Sequence, residues 1–92
     1  MKYTTRVELH HADDDDYGTL HSTMEGQGFS RLITDGSGKE YHLPTAEYDY
    51  EGTLTRQQVL NRAKQAAAKT NRKHSILVTE SRGRTWHNLT EA

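Results

Sequence analysis

The chain has 92 residues, with 12 Lys and Arg against 13 Asp and Glu, six His and no Cys. That length holds one hydrophobic core and is too short for two, so residues 1–92 are read as a single domain. The absence of cysteine excludes disulfides and thiolate metal sites. Hydrophobic residues make up only 32% of the chain, but they fall in periodic blocks, which points to a folded rather than a disordered protein. The net charge of −1 hides a division: residues 1–51 carry eleven acids against four bases, and residues 52–92 carry eight bases against two acids. A chain polarised in this way can present a basic face to a polyanion or attract itself, one half against the other.

Residues 2–10 alternate, with Tyr3, Thr5, Val7 and Leu9 on one side and Lys2, Thr4, Arg6, Glu8 and His10 on the other, the pattern of a half-buried strand. Asp13 to Gln27 reads as a helix, with Tyr17, Leu20 and Met24 on one face. Asp13 is its expected N-cap, Asp14–Asp16 complement the helix dipole, and Gly28 stops it. Phe29 to Thr34 reads as a second strand, and Asp35-Gly36-Ser37-Gly38 as a hairpin turn. Residues 39–51 read as one long strand interrupted near Pro44, which cannot donate to a ladder. Thr55 and Gln58 have the spacing of a capping box, flanked by Leu54 and Val59 as a hydrophobic staple. Val59, Leu60, Ala63, Ala66 and Ala67 form the buried stripe of the helix that follows. His74 to Glu80 is the last main strand, with Ile76 and Val78 on one face and Leu77 on the other. Thr85 to Leu89 is a short further strand or a tail held through Trp86.

The order strand, helix, strand, hairpin, strand, helix, strand predicts an α+β, ferredoxin-like βαββαβ fold. Right-handed crossovers place both helices on one face of an antiparallel sheet. One sheet face and two strand edges are then open, and such edges are usually covered or paired. A homodimer is therefore expected. No apolar stretch approaches the roughly 20 residues that span a bilayer, and residues 1–12 lack the apolar core of a signal peptide. The expected location is the cytoplasm, with no membrane association.

Three features bear on chemistry. The run from His10 to Asp16 offers imidazoles and carboxylates, but consecutive residues on a helix diverge around its axis. A helix start rich in acids accounts for the run, and no metal or other cofactor is expected. His21, His42, His74 and His87 read as surface imidazoles. Arg62, Lys64 and Lys69 flank the alanine stripe of the second helix, and Arg82 and Arg84 sit on a turn beside Trp86. Arginine with an aromatic neighbour is the composition of single-stranded nucleic acid binders. The same residues also read as snorkelling shoulders of a buried helix and a lid on the core. Arg31, between Phe29 and Ile33, needs a partner or a purpose on an apolar face. It either pairs with an acid such as Glu47 or Asp49, or grips a phosphate and stabilises a transition state.

The segments Arg6–His10, Gly28–Arg31, Tyr41–Tyr48 and Ile76–Trp86 resemble the GhoS family, the endoribonuclease antitoxins of type V toxin–antitoxin systems. The similarity spans about residues 2–89 and is greatest to a branch of small uncharacterised bacterial proteins. The resemblance implies a ferredoxin-like fold, similar to that of the small CRISPR adaptation nuclease, and cleavage of the messenger RNA for a small membrane toxin. That nuclease fold uses an aspartate near the end of its first strand. Here His10 and His11 occupy the region, with Asp13 just beyond, which argues against metal-dependent catalysis.

Two functions follow as expectations. One is a metal-independent endoribonuclease in which His10 is the base and Arg31 stabilises the phosphorane. The other is a non-catalytic dimeric module that binds RNA or a protein partner of unknown identity. The mixed charges of Lys2, Arg6, Glu8 and His10 on the open sheet face suit the second as well as the first.

Overall fold

Alternation along β1 (Lys2–Leu9) sorts its side chains between core and solvent, and the computed structural model, which describes residues 1–92, builds the fold around this strand. β1 is followed by α1 (Asp14–Gly26), β2 (Leu32–Thr34), β3 (Glu40–His42), β4 (Glu47–Glu51), α2 (Arg56–Ala68) and β5 (His74–Ser81). β1 is the central strand of an antiparallel sheet in the order β4-β1-β5, and β2 and β3 pair as a second, two-stranded sheet. Thr5 lies opposite Tyr48 on one side and Val78 on the other. Tyr3, Val7 and Leu9 from β1 and Tyr48 from β4 pack against Leu20 and Met24 of α1 and Val59, Ala63, Ala66 and Ala67 of α2 in one buried cluster. Both helices therefore cover the same sheet face, and the arrangement is the α+β, ferredoxin-like one.

Local sequence chemistry sets both helix starts. Asp13 accepts from the Asp16 N–H at 2.9 Å while Asp16 accepts from the Asp13 N–H at 3.1 Å. Thr55 and Gln58 make the same reciprocal pair. Each box satisfies two backbone donors that a helix start leaves free. Small residues let the helices meet closely: the Thr23 hydroxyl of α1 donates to the Ala66 carbonyl of α2 at 3.0 Å.

The expected long strand over 39–51 is two strands with different partners. Tyr41 pairs with Ile33 in the small sheet, whereas Tyr48 pairs with Thr5 in the large one. Pro44 and a left-handed Ala46 (φ 72°) turn the chain between them. The second strand is also shorter than the expected 29–34. Ser30 makes an isolated antiparallel bridge to Asp49, and regular pairing with β3 starts at Leu32. That bridge alone joins the β2 segment to the outer edge of β4. Residues 85–89 form no strand; further on, Glu91 bridges Tyr41, so residues 90–92 line the outer edge of β3.

Candidate functional site

The His10–Asp16 run resolves into structural roles. Asp13 caps α1, and Asp16 completes the box and pairs with Arg72 at 2.9 Å. The Asp13 N–H, with Arg72 in support, holds the Asp16 carboxyl below its ordinary range. No three His, Asp or Glu side chains stand together in a way that could hold a metal ion. His10 lies past the end of β1 and turns towards β5, with Nε2 3.0 Å from the Ser75 hydroxyl and 3.8 Å from Glu8.

Arg31 is elsewhere. It is half-buried at the start of the β2 segment, and its Nε is enclosed without a hydrogen-bond partner. Neither expected acid pairs with it, since Asp49 is taken by Arg84. Its charge instead acts on His21 and Tyr48. Tyr48 lies opposite Thr5, five residues before His10, or roughly 16 Å along the strand direction. The structure therefore does not bring His10 and Arg31 together.

The Arg31 charge reaches a different histidine. His21 Nδ1 lies 2.6 Å from the Tyr48 hydroxyl, and the two rings are tilted at a centroid distance of 5.8 Å. Burial lowers the His21 pKa below the ordinary 6.5, and the neighbouring Arg31 charge lowers it further against a small opposing effect of Glu25. Burial likewise pushes the Tyr48 hydroxyl well above its ordinary range. At neutral pH the pair is a neutral imidazole against a neutral phenol. When Tyr48 accepts from Nδ1–H, Nε2 is left as an unprotonated base. His21 also lines a groove of about 570 Å³ with Arg6, Glu8, Asp14 and Tyr17. Reading the histidines as scattered surface groups missed this site. The available signal was position: His21 lies four residues after Tyr17 and three before Met24, at the margin of the apolar stripe of α1.

The six expected RNA contacts divide into two groups. Arg82, Arg84 and Trp86 line a cleft of about 550 Å³ with Lys2, Ile33, Thr34 and Asp35. Arg62, Lys64 and Lys69 are exposed on α2, in the helix layer. Arg62 reaches back to the Gln27 carbonyl at 3.5 Å. Within the cleft Arg84 is already engaged: it meets Asp49 at 2.7 Å and donates to the Thr4 hydroxyl and the Tyr3 carbonyl, both at 2.9 Å. The contact with Asp49 is one of charge with charge rather than an aligned hydrogen bond. Lys2 and Arg82 make no ion pair and are exposed. Trp86 packs on Tyr41, with ring centroids 5.5 Å apart. Asp35 is satisfied by its own turn through the Ser37 hydroxyl and the Ser37 and Lys39 amides, which hold its carboxyl below the ordinary range. The β2 segment joins the two regions: Arg31 at its start acts on His21, while Ile33 and Thr34 line the cleft.

No helix of the chain is long and apolar enough to cross a membrane. No family model and no curated protein matches this chain.

Proposed function

We propose that the chain is an endoribonuclease of the antitoxin kind, cleaving the messenger RNA of a small toxin without a metal ion. The observation that carries this reading is a neutral His21 at the wall of a groove, oriented by Tyr48 and within the field of Arg31, whose buried Nε has no hydrogen-bond partner. Cleavage of RNA by its own 2′-hydroxyl needs a base for the 2′ proton and positive charge for the phosphorane. In this mechanism His21 Nε2 takes the proton, and the 2′ oxygen bonds to phosphorus as Arg31 holds the equatorial oxygens. The bond from phosphorus to O5′ then breaks, and water protonates the leaving oxygen. The products are a 2′,3′-cyclic phosphate and a 5′-hydroxyl. Lys2, Arg82 and Trp86 hold flanking nucleotides, with charge for phosphate and an aromatic face for a base.

The resemblance noted above supports the RNA class, and the geometry favours His21 over His10 as the base. The test is incubation of host RNA with the protein in EDTA, followed by mapping of new ends and their chemistry. Discrete cuts bearing cyclic phosphate are expected. An intact RNA pool that is nonetheless bound, with affinity falling steeply as salt is added, would favour the non-catalytic RNA-binding module.

A further inference from the structure

β5 has the one long strand edge in this fold with nothing beside it. The outer edge of β4 carries the Ser30 bridge, and the outer edge of β3 is lined by residues 90–92. β5 pairs with β1 over eight consecutive residues without a bulge. It contains no proline and no lysine, so the usual guards of a free edge are missing. Leu77 at its centre is 64% exposed, one of two large hydrophobic residues so placed.

We infer that β5 is the contact surface for a second copy of this chain, the two β5 strands pairing antiparallel about a two-fold axis at Leu77. The hydrogen-bond pattern selects this register. Val7 donates to Ala46 on the β4 side of β1, and His10 donates to Lys73 on the β5 side. Antiparallel ladders alternate, so Ser75, Leu77, Thr79 and Ser81 direct their backbone groups to β1. His74, Ile76, Val78 and Glu80 direct theirs outwards.

With the axis at Leu77, each outward residue meets another outward residue, Ile76 opposite the partner's Val78 and His74 opposite the partner's Glu80. Leu77 meets its own copy as a non-bonded pair with Cα atoms about 4.5 Å apart, the spacing at which side chains are closest. Axes at Ile76 or Val78 also satisfy the alternation, but they set His74 against Val78 or against Arg82. An axis at Leu77 alone matches apolar to apolar and imidazole to carboxylate. Beyond the strand ends it brings Arg72 towards the partner's Arg82, and Arg72 is already neutralised by Asp16. The groove beside the edge, lined by Thr55, Arg56, Gln57 and Leu60 of the α2 region, runs along the same junction. The joined sheet has six strands in its main layer.

The absence of cysteine makes the register directly measurable. Sedimentation equilibrium of the full chain is expected to give twice the 10.5 kDa monomer mass, and the Leu77→Lys variant is expected to sediment as a monomer with an unchanged far-ultraviolet spectrum. The Leu77→Cys variant, oxidised with copper phenanthroline, is expected to cross-link to a dimer. Thr79→Cys is not, because its two copies lie about 13 Å apart in this register, beyond the reach of a disulfide. A parent chain that stays monomeric up to millimolar concentration, or cross-linking at Thr79→Cys but not at Leu77→Cys, would overturn the inference.

Discussion

The Tyr48 hydroxyl and His21 Nδ1 meet at 2.6 Å across 27 residues of sequence, joining α1 to β4 where both face the Arg31 charge. Because the folded state disfavours protonated His21, this pair makes stability depend on pH. Above the ordinary value of 6.5 the imidazole is neutral in both folded and unfolded chains, and its full contribution is present. As pH falls from 6.5 towards the lowered folded value, the unfolded state takes up a proton that the folded state refuses, and stability is lost. The loss is complete below the folded value. Thermal midpoints measured from pH 8 down to pH 5 are expected to fall for the parent and to fall less for His21→Gln. Equal slopes for the two proteins would show that His21 does not titrate in this way.

Arg84 is expected to be structural rather than a phosphate contact. It and Asp49 are each only 19% exposed, and Arg84 also holds the Thr4 hydroxyl and the Tyr3 carbonyl. Removing one partner of an enclosed ion pair leaves the other charge poorly solvated. Arg84→Ala should therefore cost about 2–3 kcal/mol in urea denaturation, whereas Arg82→Ala should leave stability unchanged and weaken RNA binding. The reverse result, with Arg84→Ala fully stable and deficient in binding, would return Arg84 to the RNA contacts.

Thr5 is fully buried between Tyr48 and Val78, and its hydroxyl finds no hydrogen-bond partner. Valine has nearly the same shape without the desolvated oxygen. Thr5→Val should therefore raise stability by about 1 kcal/mol, read as a higher urea midpoint at unchanged slope. A loss of stability would mean that the hydroxyl is satisfied in solution.

Much of the fold was legible because its signals are local. The alternation along β1, the reciprocal caps at Asp13 and Thr55 and the stripe of Val59, Ala63, Ala66 and Ala67 on α2 are each written within one element and form as the sequence implies. Leu60, expected in that stripe, is only half-buried and lines the groove beside β5. The division between β3 and β4 was less legible. Pro44 marks an interruption, but the left-handed Ala46 and the change of partner strand follow from tertiary pairing. The candidate site was the least legible part. Arg31 stood out as a charge among apolar residues, yet its relation to His21 depends on how α1 lies over β4, and no spacing within one element encodes that. Likewise, Arg84 looked free beside Trp86 until the turn after β5 brought it over Asp49, 35 positions earlier in the chain.

The most direct measurement compares RNA cleavage in EDTA by the parent protein and by the Arg31→Ala, His21→Ala and His10→Ala variants, each shown to be folded, on a substrate carrying a mapped cut site. His21→Ala and Arg31→Ala are each expected to lower the rate at least 100-fold, the scale of a lost general base or a lost charge stabiliser. His10→Ala is expected to cut at nearly the parent rate, and a single 2′-deoxy nucleotide at the cut site should abolish the reaction. Full activity in His21→Ala, or activity that survives the 2′-deoxy substitution, would contradict the His21–Arg31 mechanism.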